Sequence, residues 1–231
     1  MAIATKSKPR GSAKPKAKFD PAGKVVVVGN LKGGCGKSTI AFNLAVWLAA
    51  AGDAPLLVDL DPQKTLSDLV SVREDIGATP QIAPPVDALP ASTEGRRVLV
   101  DFGASDFARM AQVIPRADLI LVPVLPSQAD VWATQRYLIL VLTRRKPGAR
   151  IIFFVNRAES VETSSETRET LAALKAMAGM CENATVQTSI IRRRVAYCRS
   201  LSEGLGVFEM KGQNKAVEEF ERLAASVAAH L

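Results

Sequence analysis

Apolar residues recur along this chain in short runs, and stretches of mixed polarity separate them at near-regular intervals. The first run is Val25-Val26-Val27-Val28, β-branched throughout and closed by Gly29 and Asn30. Such a run predicts a strand buried on both faces, as in a parallel sheet. After a Gly-rich turn, residues 38–51 are Ala-rich and apolar nearly all round, with Gly52 as a stop, which predicts a buried helix. The alternation then repeats: strand 55–60, helix 65–73, strand 97–102, helix 106–114, strand 119–124, helix 131–143, strand 150–155, a polar-faced helix 163–178 and a short sixth strand 185–187. Helices near 193–203 and 213–230 close the chain. Residues 76–95 hold four prolines and little periodicity, and are expected to form a loop. Strands alternating with helices predict an α/β fold, a mostly parallel sheet sandwiched between helices.

At 231 residues, 48% of them apolar, the chain suits one such domain with a full core. Its net charge of +7 is unevenly placed. Residues 1–24 carry Lys6, Lys8, Arg10, Lys14, Lys16, Lys18 and Lys24 against Asp20 alone, so the pI describes a tail more than a folded body. Residues 1–22, rich in Lys, Pro, Ser, Ala and Gly, are read as a disordered basic arm, and residues 23–231 as the domain. No run approaches the roughly 18 apolar residues that span a bilayer, and the basic start lacks the apolar segment of a secretory signal. Cys35, Cys181 and Cys198 are odd in number and have no metal-ligand spacing, which fits a reduced, cytoplasmic protein.

Candidate chemistry concentrates in Lys32-Gly33-Gly34-Cys35-Gly36-Lys37-Ser38-Thr39, between the first strand and the first helix. A loop there can aim backbone N–H groups at a phosphate, where the helix N-terminus adds partial positive charge. Gly33, Gly34 and Gly36 let the backbone turn tightly against an anion. Lys37 can reach the β- and γ-phosphates, the Ser38 hydroxyl can ligate Mg²⁺, and Thr39 can contact the α-phosphate. Cys35 fills the variable position, as a small filler rather than a reactive thiol. The ordinary G-x-x-x-x-G-K-[ST] spacing would need Gly at position 31, where this chain has Leu31. The pattern is instead K-G-G-x-G-K-[ST]-[ST], with a second lysine, Lys32. That octapeptide resembles the deviant Walker A loop of the ParA/MinD family of P-loop ATPases.

Carboxylates at neighbouring strand ends complete the picture. Asp59 and Asp61 flank Leu60 in Val58-Asp59-Leu60-Asp61-Pro62-Gln63, and alternation along an extended chain puts both on one face. Asp101 follows Val98-Leu99-Val100, the Walker B arrangement, which holds Mg²⁺ through water. Hydrolysis at such a loop needs charge neutralisation and an oriented water. The resemblance makes D-x-D-P-Q a switch segment in which Asp61 orients that water and Asp59 supports the metal shell. The family usually continues after the Walker B Asp with Pro or small residues, whereas Phe102-Gly103-Ala104 follow here. Asn156, at the end of the fifth strand, offers a donor and an acceptor, and the resemblance assigns it the adenine edge. No guanine-type N-K-x-D motif is visible.

The likeness covers roughly residues 24–230, including 122–132 and 194–209, and is nearest to short ParA-type partition and positioning ATPases. It implies that Lys32 crosses a face-to-face ATP dimer to the partner's phosphates, so that ATP joins two subunits and hydrolysis releases them. It also implies sequence-blind DNA binding by C-terminal basic residues, for which Arg192, Arg193, Arg194 and Arg199 are the densest cluster; Arg144-Arg145-Lys146 is a second. The expected function is an ATPase with weak basal activity, cytoplasmic and nucleoid-associated. It would be released from DNA when a small ParB-like or adaptor protein stimulates hydrolysis, so distributing a plasmid, a chromosome region or a protein body such as a carboxysome. The chain shows no region for an N-terminal helix-turn-helix, so operator binding is not expected. Two other readings stand beside this one. A MinD-like membrane-associated ATPase would need a basic amphipathic C-terminal helix, but the segment with Phe220, Leu223, Val227 and Leu231 at helical spacing carries Glu218, Glu219 and Glu221. A metallocluster-assembly ATPase would want a C-x-x-C, and none is present.

Overall fold

The computed structural model describes residues 23–159 and 164–231; the basic arm expected at 1–22, and Thr163 at the expected start of the fifth helix, lie outside them. Six strands form one sheet: β1 (Val25–Val28), β2 (Leu56–Asp59), β3 (Val98–Asp101), β4 (Leu119–Val124), β5 (Arg150–Val155) and β6 (Ala184–Val186). Their order is β2-β3-β1-β4-β5-β6, and every pairing is parallel. Seven α-helices flank it among the described residues: α1 (Lys37–Ala50), α2 (Thr65–Asp75), α3 (Phe107–Val113), α4 (Gln128–Arg144), α5 (Ser165–Gly179), α6 (Val195–Ser202) and α7 (Asn214–Ala228).

Strand alternation divides the core in two. Val26, Val28, Leu57, Leu99, Leu121 and Phe154 face α1, α2, α6 and α7, while Val25, Val27, Val100, Ile120, Phe153 and Val155 face α3, α4 and α5. Both faces are dry, which explains the unbroken apolar strands. α1 is buried nearly all round because it sits between the sheet and the C-terminal helices. The apolar side of α7, with Phe220, Leu223 and Val227, is consumed by this core, and Phe220 stacks on Phe208 at 6.1 Å.

Boundaries differ from the sequence expectation in ways that caps explain. α4 begins three residues early because Ser127 accepts a hydrogen bond from the Asp130 amide. Asp106 and Ser164 cap α3 and α5 in the same way. The proline-rich segment 76–95 does more than connect: Val86 exchanges hydrogen bonds with β2, through Asp59 N and Leu57 O, and so covers that strand's free edge. Arg73 of α2 is fully buried. It pairs bidentately with Glu209 at 2.8 and 3.0 Å and donates to the Pro80 and Gly204 carbonyls, tying α2 and segment 76–95 to the C-terminal layer.

β1 is central, with β3 on one side and β4 on the other. The chain leaves β1 toward one side and returns to fill the other, so the crevice at the strands' C-terminal ends opens there. Asp59 and Asp101 end β2 and β3 at that edge, and Asn156 follows β5 there.

Candidate nucleotide site

The loop 29–36 leaves β1 and delivers the chain into α1. Gly34 and Gly36 take φ of 75° and 91°, which side-chain-bearing residues adopt only at a cost. A Cβ at Gly36 would also stand 2.5 Å from Asn156 Nδ2, whereas at Gly33 and Gly34 it would meet nothing within 4 Å. The loop therefore presents an open, side-chain-free concavity on one side and is tightly packed on the other. α1 starts with Gly36 as its N-cap, without a side-chain cap or an acidic residue in its first turn. Its first amides are thus left for an external anion.

Braces hold this loop, and two of them were not visible in the sequence. Asn30, fully buried, donates through Nδ2 to Pro123 O and Thr134 Oγ1 at 3.0 Å and accepts from Lys32 N at 3.3 Å. Arg157 Nη1 donates to Gly34 O at 2.8 Å. Asn156, expected at the adenine edge, is buried; its Nδ2 donates to Cys35 O at 2.7 Å and its Oδ1 accepts from Arg157 N at 3.0 Å. It thereby braces the phosphate loop. A polar strand-end residue beside a Gly-rich turn is the only signal for Asn30; Arg157 carried none, because its partner lies 123 positions away.

Lys37 is buried at the mouth of the concavity, its ammonium 3.2 Å from Lys32 O. The Lys32 ammonium makes no ion pair or hydrogen bond among the described residues. The Cys35 thiol is fully buried and donates to Lys32 O at 3.2 Å; burial pushes its pKa up, so it is a packed filler, as expected.

The three aspartates converge but are not equivalent. Parallel pairing sets Asp59 beside Asp101. Both Asp59 oxygens are occupied: Oδ1 accepts from Asp61 N at 3.1 Å, and Oδ2 accepts from Ser67 N and Oγ at 2.9 and 2.7 Å. Asp59 therefore ties β2 to the start of α2. The expected alternation of Asp59 and Asp61 on one strand face gives way to a turn, in which Asp61 Oδ1 accepts from Gln63 N at 2.9 Å. Gly103 lies against this turn, where a Cβ would sit 3.2 Å from Pro62 and 3.3 Å from Asp61 Oδ1. Arg109 of α3 donates to Leu60 O at 2.8 Å and joins α3 to the turn after β2.

Asp101 is the exception. Both its oxygens are buried and neither has a hydrogen-bond partner among the described residues. Burial pushes its pKa up to about 7; the nearby Ser38 hydroxyl and Lys37 ammonium lower it, and the Asp59 and Asp61 carboxylates raise it further. An orphaned carboxylate beside a hydroxyl is a good fit to a hard cation such as Mg²⁺, which takes one or two protein oxygens and finds the rest on phosphates and water. Among the described residues no three His, Cys, Asp or Glu side chains enclose a metal by themselves.

Within the expected basic cluster, Arg192 and Arg194 share one carboxylate. Glu219 of α7 accepts from Arg194 Nε at 3.0 Å and from Arg194 Nη2, and lies 3.7 Å from Arg192 Nε. Glu219 is itself buried, and its single negative charge offsets one of the two guanidinium charges. Arg193 and Arg199 are exposed. No helix among the described residues is long and apolar enough to cross a membrane.

Comparison with known proteins agrees with this geometry. The profile of the CobQ/CobB/MinD/ParA nucleotide-binding domain matches residues 26–207. The maintenance of carboxysome distribution protein A of Halothiobacillus neapolitanus is 32% identical over 213 residues, covering 87% of this chain and 95% of that protein. The chromosome-partitioning ATPase Soj of Treponema pallidum is 27% identical over 248 residues, covering 90% of this chain and 98% of Soj. Among solved structures, apo McdA of Cyanothece superposes with a TM-score of 0.66 at 21% identity, over 88% of this chain and 99% of that one. MinD in complex with MinC from Aquifex aeolicus gives 0.67 at 18% identity, over 89% and 96%. At those identities the structures attest the fold, while the profile and the carboxysome relative reach further: this chain belongs to the CobQ/CobB/MinD/ParA nucleotide-binding family.

Proposed function

We propose that the chain is an ATP-driven positioning ATPase that dimerises on ATP, binds DNA without sequence preference, and leaves it when a partner stimulates hydrolysis. The observation that carries this reading is the pair of lysines at one phosphate loop. Lys37 is committed at the mouth of the concavity, whereas the Lys32 ammonium has no partner among the described residues, which suits an ammonium destined for a second subunit's phosphates.

In this mechanism the loop amides of 33–39 and the Lys37 ammonium hold the triphosphate of ATP. Ser38 and Asp101 would hold Mg²⁺, which would supply neutralisation of the triphosphate's negative charge. Asp61, less buried and on a turn fixed by Asp59 and Gly103, orients the attacking water. Asp59 acts through that turn and through Ser67. Asn156 and Arg157 keep the loop open by holding the Cys35 and Gly34 carbonyls away from the phosphates. Loss of the γ-phosphate removes what Lys32 grips across the dimer, so a local charge change separates the subunits.

DNA contact falls to Arg193 and Arg199 rather than to the paired Arg192 and Arg194, and places the protein on the nucleoid in the cytoplasm. The full-length likeness to a carboxysome distribution protein and to Soj supports a positioning role, with a protein body, a plasmid or a chromosome region as cargo and a small adaptor protein as activator. Analytical ultracentrifugation with Mg²⁺ and a non-hydrolysed ATP analogue tests the central step. The wild type is expected to shift from monomer to dimer, and Lys32→Ala to bind the nucleotide while remaining monomeric. A normal ATP dimer of Lys32→Ala would sink the proposal.

A further inference from the structure

We propose that the outward face of α4 is a docking surface for an acidic amphipathic helix of a partner protein. α4 is buried along one side, where Val131, Thr134, Tyr137, Leu138 and Val141 pack inward. On its other side Trp132, Ile139 and Leu142 are 53%, 64% and 40% exposed. At about 100° per residue these three fall within roughly 80° of arc, and at about 1.5 Å per residue they form a stripe some 15 Å long. Scattered exposed apolar residues need no explanation, but a Trp aligned with Ile and Leu on one rigid helix has the composition of an interface anchor.

Charge identifies the occupant. Arg136 stands one turn beyond Trp132, about 40° round from it, and is exposed and without an ion-pair partner among the described residues, whereas Arg144 at the helix end lies about 120° round and off this face. The only carboxylate of α4, Asp130, is buried. The outward face is therefore apolar and cationic with no anion of its own, and a helix with leucine-type anchors at i, i+3, i+4 and i+7 between acidic flanks complements it. A second copy fits worse: two-fold antiparallel pairing about the middle of the stripe would bring Arg136 against Arg136. Duplex DNA gains nothing from covering a Trp, an Ile and a Leu.

As the surface through which a cargo adaptor reaches the ATPase, this inference rests on the proposed function; the docking itself is measured without nucleotide. The probe is a synthetic amphipathic peptide of about 20 residues with leucines at a and d heptad positions and Glu elsewhere, alongside its Lys-for-Glu counterpart. Trp47 is in the core at 5% exposure, so a blue shift on titration reports Trp132. The full chain should show a saturable shift with the Glu peptide and at least about ten-fold weaker binding of the Lys peptide. Ile139→Glu should abolish binding, and Arg136→Glu should invert the peptide preference. The inference is overturned if both peptides bind alike, or if Ile139→Glu binds the Glu peptide as the wild type does. It is equally overturned if Ile139→Glu dissolves a nucleotide-free dimer, or if Arg136→Glu loses binding to anionic vesicles or duplex DNA that the wild type shows. Calorimetric ATP uptake should be the same in Ile139→Glu and wild type; a wild-type chain that takes up no ATP would sink the proposed function and leave the docking surface standing.

Discussion

Replacing Asp101 by Asn should stabilise the metal-free protein at alkaline pH while removing its Mg²⁺ response. Both Asp101 oxygens are buried without partners, and the carboxyl titrates near 7 instead of at 3.8. Between those values the folded chain holds a proton that the unfolded chain has released, so this group's contribution is complete below pH 3.8, is lost as pH rises, and levels off above about 7. The whole displacement corresponds to about 4 kcal/mol, of which about 2 kcal/mol falls between pH 5.5 and the upper end of the window. Asn has nearly the same shape and does not titrate. Urea unfolding of wild type and Asp101→Asn at pH 5.5 and 8.5 should therefore show the wild type losing about 2 kcal/mol more than the variant, close to 1 M in midpoint at a slope of about 2 kcal/mol/M. Comparing the two chains cancels every other titrating group. Adding Mg²⁺ with ADP at pH 8.5 should raise the wild type and leave Asp101→Asn nearly unmoved, because the cation binds the ionised carboxylate. Parallel movement of the two midpoints with pH would refute the reasoning.

Other expectations follow from single contacts. Gly36→Ala places a Cβ 2.5 Å from Asn156 Nδ2 at a φ of 91°, so it should cost about 1–3 kcal/mol by thermal unfolding and weaken ATP uptake by calorimetry more than Gly33→Ala does. Glu209→Ala leaves the buried Arg73 guanidinium facing carbonyls alone and should destabilise by about 3 kcal/mol or more in urea, whereas Arg222→Ala, on the surface, should cost well under 1. Arg193→Ala with Arg199→Ala should reduce DNA retention and its salt slope while the fold stays intact; Arg194→Ala should instead lower the melting temperature, since it strips Glu219 of its closest partner.

Much of this protein was legible in order of sequence. The β-branched and apolar runs announced a buried parallel sheet, because only strands covered on both faces can dispense with polar alternation. The glycines and lysines of 32–39 announced the phosphate loop, because backbone proximity to an anion demands those residue types in immediate succession. The Ala-rich α1 and the apolar side of α7 were equally plain. What tertiary structure decided is which polar groups meet across the chain. The sheet order puts Asp59 beside Asp101, yet α2's amides claim one and leave the other bare; Ser67 and the turn at Asp61, not composition, make that difference. Asn30, Asn156 and Arg157 became loop braces, and Glu219 drew in Arg192 and Arg194, through contacts spanning 25 to 123 residues. Local pattern reports how a segment hides its apolar surface, which is a nearest-neighbour matter. The pairing of a buried charge or amide depends on whichever distant group the packing happens to bring within 3 Å, and no local pattern carries that.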